Sequence, residues 1–164
     1  AGLTLHGVPV QHWSSRTRSD TNRTLWLGFV IDSPDGPLLF PGDTGLGPEF
    51  GLINQRFGAM RFAALPIGAY EPRWFMRDHH MNPDDAVQAH RTLQAQTSMA
   101  IHFGTFNLTD EQQDDPPKAL QAALRSQGVD PATFGTPKPG EQWRVAPRNV
   151  AQEAEATRRE QQLR

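Results

Sequence analysis

The sequence predicts an α/β domain, a strand hairpin followed by helix-strand units. Three observations point there. Short apolar runs, several rich in β-branched and aromatic residues, recur as at residues 24–31 and 62–67. Between them, apolar residues fall at helical spacing, with Phe50, Ile53 and Phe57 the first set. Punctuation separates the two patterns: Ser33-Pro34-Asp35-Gly36 has the chemistry of a turn, and Asn82-Pro83-Asp84-Asp85 that of a helix start.

Taken in order, residues 3–10 alternate apolar and polar side chains, as a half-buried strand does, and end at Gln11-His12-Trp13. Residues 14–22 are polar and aperiodic, a loop. Residues 24–31 form the next strand, and residues 38–41 return after the turn as its partner, delivering Gly42-Asp43-Thr44-Gly45. Residues 48–57 read as a short helix. The buried strand 62–67 runs into the irregular loop Gly68-Ala69-Tyr70-Glu71-Pro72. Asn82 caps a helix carrying Ala86, Val87, His90 and Leu93, with Pro83 in its first turn and two acids at the positive end of its dipole. Residues 98–101 are a strand with His102 at its end. Pro116 or Pro117 opens a helix with Leu120, Ala123 and Leu124 on one face, stopping near Gly128. Residues 141–145 are expected as the last strand. The domain is therefore 1–146, followed by a polar, charged tail at 147–164.

The 164 residues suffice for one domain with a modest core. A net charge of −2 leaves no footprint for nucleic acid or an anionic membrane. The absence of Cys excludes disulfides and thiolate metal sites. No apolar run approaches the roughly 20 residues of a membrane span. Location is left open between the cytoplasm and the periphery of a membrane. The chain starts at Ala1 and enters a strand almost at once, which is expected of a piece of something longer.

The strands are apolar on more faces than these few helices can cover. Leaving on the order of 500 Å² of apolar sheet wet forgoes roughly 12 kcal/mol, comparable to the stability of a whole domain. The expected architecture is thus half of a sandwich, its bare face covered by another half-domain or a second copy of the chain.

Asp43 ends an apolar strand between glycines. It is open to three readings: a turn aspartate bonded to backbone N–H groups, an aspartic-protease Asp-Thr-Gly, or a carboxylate bridging two metals. Leu46 after the motif and the several helices disfavour the protease. His12 and His102 both stand where an apolar strand gives way to a loop, the place where sheet edges gather side chains distant in sequence. An imidazole there can bind zinc through one nitrogen while an acceptor fixes the other. His79 and His80 precede a helix cap and read as a solvated loop pair or as groups lining the site, where His80 would act catalytically as proton donor or substrate contact. His6 and His90 read as structural, and Asp114 and Asp115 as a solvated helix start. Tyr70, Trp74 and Phe75 read as loop packing or as the lining of an apolar substrate groove.

Four blocks, in order, carry a resemblance: Pro9-Val10-Gln11-His12-Trp13, Gly42-Asp43-Thr44-Gly45, the run from Pro66-Ile67-Gly68-Ala69-Tyr70 through Trp74-Phe75-Met76, and Ile101-His102-Phe103-Gly104-Thr105-Phe106. Over residues 2–141 the chain resembles the C-terminal half of the N-acylphosphatidylethanolamine-hydrolysing phospholipases D and their bacterial relatives, in the metallo-β-lactamase superfamily. The resemblance implies half of a four-layer αββα sandwich with two zinc ions at the sheet ends. His12 would ligate one zinc, Asp43 would bridge both and His102 would ligate the other. A hydroxide between the metals would attack a phosphodiester. His80 resembles the family's additional site histidine, and Tyr70, Trp74 and Phe75 would shape a lipid-facing mouth. The family's His-x-His-x-Asp-His cluster is missing here. The implied partner is an N-terminal half carrying that cluster, and without it the chain is expected to be inactive. The implied substrate is a phospholipid or another phosphodiester. A lactonase, another hydrolase of the fold, or a non-catalytic half-domain remain alternatives, as does a homo-oligomer.

Overall fold

The computed structural model describes residues 2–147. Six strands form one sheet in the order of the chain: β1 (Thr4–Val8), β2 (Gly28–Asp32), β3 (Leu38–Phe40), β4 (Phe62–Pro66), β5 (Thr97–Ile101) and β6 (Phe134–Gly135). The first three pair antiparallel, and β3 through β6 run parallel. Helices α1 (Glu49–Phe57), α2 (Arg73–Met76), α3 (Pro83–Thr92) and α4 (Asp115–Ser126) provide the connections between the parallel strands. Because β1 and β3 both pair antiparallel with β2, they point the same way as β4 and β5. With β6 also parallel to β5, the C-terminal ends of five strands therefore open on one edge, where α/β sheets collect ligands.

Local chemistry accounts for the elements. At the start of α3 the Asn82 carboxamide accepts from the Asp85 N–H at 2.8 Å, and the Asp85 carboxylate accepts from the Asn82 N–H at 3.2 Å, closing a capping box. Pro83 fills the first turn, where no N–H is needed. The Gly36 N–H donates to the Ser33 carbonyl at 3.0 Å and closes the β2–β3 turn. Alternation along the strands puts Val8, Val30, Leu39, Ala63 and Leu65 on one face. There they pack with Phe50 and Ile53 of α1, Val87 of α3, and Leu120 and Leu124 of α4 in a single core.

The opposite face is only partly covered. Leu5, Phe29 and Phe40 share it through the pairings of Leu5 with Ile31, Gly7 with Phe29, and Phe29 with Phe40. They are exposed by 60%, 41% and 49%. One layer of helices lies on one layer of sheet, as the half-sandwich requires.

Three expectations need correction. Residues 141–145 form no strand. Instead the Arg61 guanidinium donates to the carbonyls of Val145 and Ala146, both at 2.8 Å, and the Trp143 ring lies against Gly135 in β6. This apolar content packs over the sheet rather than joining it, and the terminal strand is the two-residue β6. The second strand starts at Gly28, not residue 24, because the Trp26 indole N–H turns back to donate to the Val10 carbonyl at 3.0 Å. Inside the loop after β4, α2 forms a single unexpected helical turn. The expected tail, beyond residue 147, lies outside the described residues.

Candidate functional site

Asp43 and His12 are brought together by backbone. Gln11 and Gly45 form an isolated bridge, with the Gly45 N–H donating to the Gln11 carbonyl at 2.8 Å. Thr44, fully buried, accepts from the Gln11 N–H at 3.0 Å and donates from its hydroxyl to the Gly45 carbonyl at 2.8 Å. Gly42 turns the chain at φ 69°, a conformation glycine adopts without cost. At Gly45 a side chain would meet the backbone of Arg77 and Asp78 at 2.9 to 3.0 Å, so the segment ahead of α3 lies directly on the motif. The Met81 N–H fastens it by donating to the Thr44 carbonyl at 3.0 Å. The Gly-Asp-Thr-Gly sequence is thus a clamp that gathers residues 11, 43 and 78–81.

His12, His80, His102 and Asp43 line up on this edge. The ring centroids of His12 and His80 are 5.3 Å apart, as are those of His80 and His102. His79 adds an edge-on contact to His12 at 5.9 Å. The His102 Nε2 lies 3.3 Å from Asp43 Oδ1. That hydrogen bond is the main reason the Asp43 carboxyl titrates below its ordinary value and the His102 imidazole above its own. Burial pushes His80 the other way, down to about 4, with the neighbouring His102 and His12 adding to the effect.

The donors suit a metal in chemical type. The Nδ1 of His12 lies 3.0 Å from the Trp13 carbonyl, while its Nε2 is buried and has no hydrogen-bond partner. A ring held at one nitrogen with the other left bare is the arrangement of a histidine ligand. His80 likewise has a buried, unpartnered Nδ1. The set falls short in number and closure. Among the described residues, no group of three or more His, Asp or Glu side chains is arranged to hold an ion by itself.

The expected groove residues divide. Tyr70 is 8% exposed and packs inside the loop, whereas Trp74 and Phe75 of α2 stand out at 82% and 62%. None of the three lines the cavity beside His102. That cavity, about 270 Å³, begins at His102 and is bounded by Gly68, Phe103, Phe106, Leu108 and Glu111. His90 is structural, as expected: it is buried, with Nδ1 2.8 Å from the Ser98 hydroxyl. Glu111, which no spacing in the sequence marks, accepts three backbone N–H groups of the Gly68–Pro72 loop.

A family model described as the beta-lactamase superfamily domain matches residues 1–103. An N-acyl-phosphatidylethanolamine-hydrolyzing phospholipase D of Caenorhabditis elegans is 39% identical over 89% of this chain. A mitochondrial phospholipase D of the same description from Saccharomyces cerevisiae is 36% identical over 71%. The chain spans 42% and 26% of their respective lengths. Among solved structures, a metallo hydrolase of Ignicoccus hospitalis superposes with a TM-score of 0.63 at 22% identity, covering 87% of this chain and 55% of that one. The structural likeness speaks to the fold, and the family match to descent. The chain belongs to the metallo-β-lactamase superfamily of hydrolases and resembles part of an N-acylphosphatidylethanolamine-hydrolysing phospholipase D.

Proposed function

We propose that this chain supplies one half of a metal-dependent phosphodiesterase, acting on N-acylphosphatidylethanolamine or a related phosphodiester. The observation that carries this reading is the bare, buried Nε2 of His12 on the same sheet edge as Asp43 and His102. An unpaired buried nitrogen costs stability unless something binds it. The phospholipase D relatives give the reading its substrate class.

His12, Asp43 and His102 would hold the metal, with Asp43, 3.3 Å from His102, as the shared ligand. When bound, zinc, two per completed site, lowers the pKa of water and polarises a phosphoryl oxygen. Three donors cannot satisfy two four-coordinate ions. The remaining ligands would come from polypeptide outside this chain, carrying the His-x-His-x-Asp-His cluster and covering the apolar face around Leu5, Phe29 and Phe40. Without that complement the chain is inactive. His80, packed beside His12 and His102, would line the site as a proton donor or a substrate contact. Trp74 and Phe75 face outward as lipid contacts, while Tyr70 supports their loop from inside.

The test is a substrate panel. A protein of the relatives' full length, containing this chain, is assayed against N-acylphosphatidylethanolamine, glycerophosphodiesters and lactones. Phosphodiester turnover that Asp43→Asn abolishes is expected. Lactone-only turnover, or an Asp43→Asn variant as active as the parent, contradicts the reading.

A further inference from the structure

The most heavily bonded side chain near the site is Glu111, which no catalytic reading uses. Its Oε1 accepts from the Ala69 N–H at 2.7 Å and the Tyr70 N–H at 3.3 Å, and its Oε2 accepts from the Glu71 N–H at 3.0 Å. Three consecutive amides thus converge on one carboxylate in a nest, the backbone concavity that favours an anion. Ala69 makes the nest possible by taking φ 60°, left-handed territory that a non-glycine residue enters at a cost. Burial alone would push the Glu111 carboxyl up; the hydrogen bonds outweigh it and hold the group ionised, below its ordinary value.

Both ends of the held loop reach the histidines. At one end, Gly68 touches the backbone of His102 so closely that an added Cβ would stand 2.1 Å from the His102 carbonyl oxygen. His102 is itself left-handed at φ 59°, so its placement depends on what its backbone leans against. The adjoining strand ends are joined by the Ile67 N–H donating to the Ile101 carbonyl at 3.1 Å. At the other end, the Glu71 carboxylate accepts from the Arg73 N–H at 2.9 Å. Arg73 donates from its guanidinium to the His80 carbonyl at 3.0 Å and also pairs with Asp85 of the α3 capping box.

We infer that Glu111 is a positioning residue: through the Gly68–Glu71 backbone its carboxylate fixes the orientation of His102, and through Arg73 it steadies the segment that carries His80. The inference rests on the reading of His102 and His80 as site residues. Its mechanism is ordering of backbone, so its effect is legible in the chain without any metal.

The test uses Glu111→Gln in the full chain, with Glu111→Ala as a second variant, followed by amide hydrogen exchange and by the imidazole ¹⁵N resonances. The carboxamide keeps one acceptor oxygen and loses the charge. Exchange at Ala69, Tyr70 and Glu71 is expected to accelerate about tenfold or more, the cost of losing charge-assisted hydrogen bonds. The His102 resonances should move while those of His90, buried against Ser98, stay. If loop exchange and His102 are unchanged in Glu111→Gln, the inference is overturned. If His90 and His102 move together, Glu111 is a general stabiliser and the inference is overturned as well. If Glu111→Ala does not fold, Glu111→Gln decides. Failure of the metal-hydrolase reading shows separately, as wild-type chain whose His12 and His102 signals ignore added zinc.

Discussion

The Nε2 of His102 and the Oδ1 of Asp43 meet at 3.3 Å across the ends of two strands that are not neighbours in the sheet. Each moves the other's titration, Asp43 downward and His102 upward, chiefly through this one hydrogen bond. In the chain without added metal, Asp43→Asn should therefore lower the His102 pKa, because the largest of the influences raising it is lost while burial, which disfavours the imidazolium, is opposed only by backbone hydrogen bonds at His102 and Gly68. A pH titration of the imidazole resonances measures this. The sign for stability follows. The pair contributes most between the ordinary carboxylate and imidazole values. Its contribution fades on acidification through the lowered Asp43 pKa, and on alkalinisation through the raised His102 pKa.

His90 provides a second pH dependence of opposite origin. Its burial holds the imidazole neutral down to about 4, so the unfolded chain binds a proton that the folded chain refuses. The contribution is complete above the ordinary histidine value and is lost as pH falls from there toward 4. Its full size is about 3 kcal/mol at most. Urea unfolding at several pH values should show the loss, and His90→Leu should flatten the slope in that window.

Gly68→Ala should destabilise the chain by about 3 kcal/mol or more, since the new methyl would meet backbone rather than a yielding side chain. Thermal unfolding measures it. Gly51→Ala, in α1 with open space around its Cβ, is the matched control and should stabilise slightly.

The bare sheet face makes a solution prediction. Leu5, Phe29 and Phe40 form a contiguous apolar patch of the kind that marks an interface. The isolated chain should bind a hydrophobic dye and sediment with concentration-dependent self-association. Both signals should fall in Phe29→Ser/Phe40→Ser. A monodisperse, dye-silent wild-type monomer would contradict the half-sandwich.

Much of this was legible in the residues. Asn82-Pro83-Asp84-Asp85 announced its capping box because capping is local chemistry. The apolar strands before Asp43 and His102 announced where those donors would emerge, since alternation and strand ends survive any tertiary arrangement. What escaped was non-local. Residues 141–145 have strand composition, yet Arg61 and Gly135, far away in sequence, dictate their packing. Glu111 carried no spacing signal because its partners are backbone amides, which every residue but proline has.

The decisive measurement is zinc titration of the wild-type chain followed by imidazole NMR, with His12→Ala, Asp43→Ala and His102→Ala as comparisons. If His12, Asp43 and His102 are one side of a metal centre, the His12 and His102 signals should shift together at millimolar zinc. Binding should be weak, each substitution should abolish the joint response, and His90 should stay still. If the two histidines respond independently, or stay unmoved while zinc binds elsewhere, the three side chains do not share a metal.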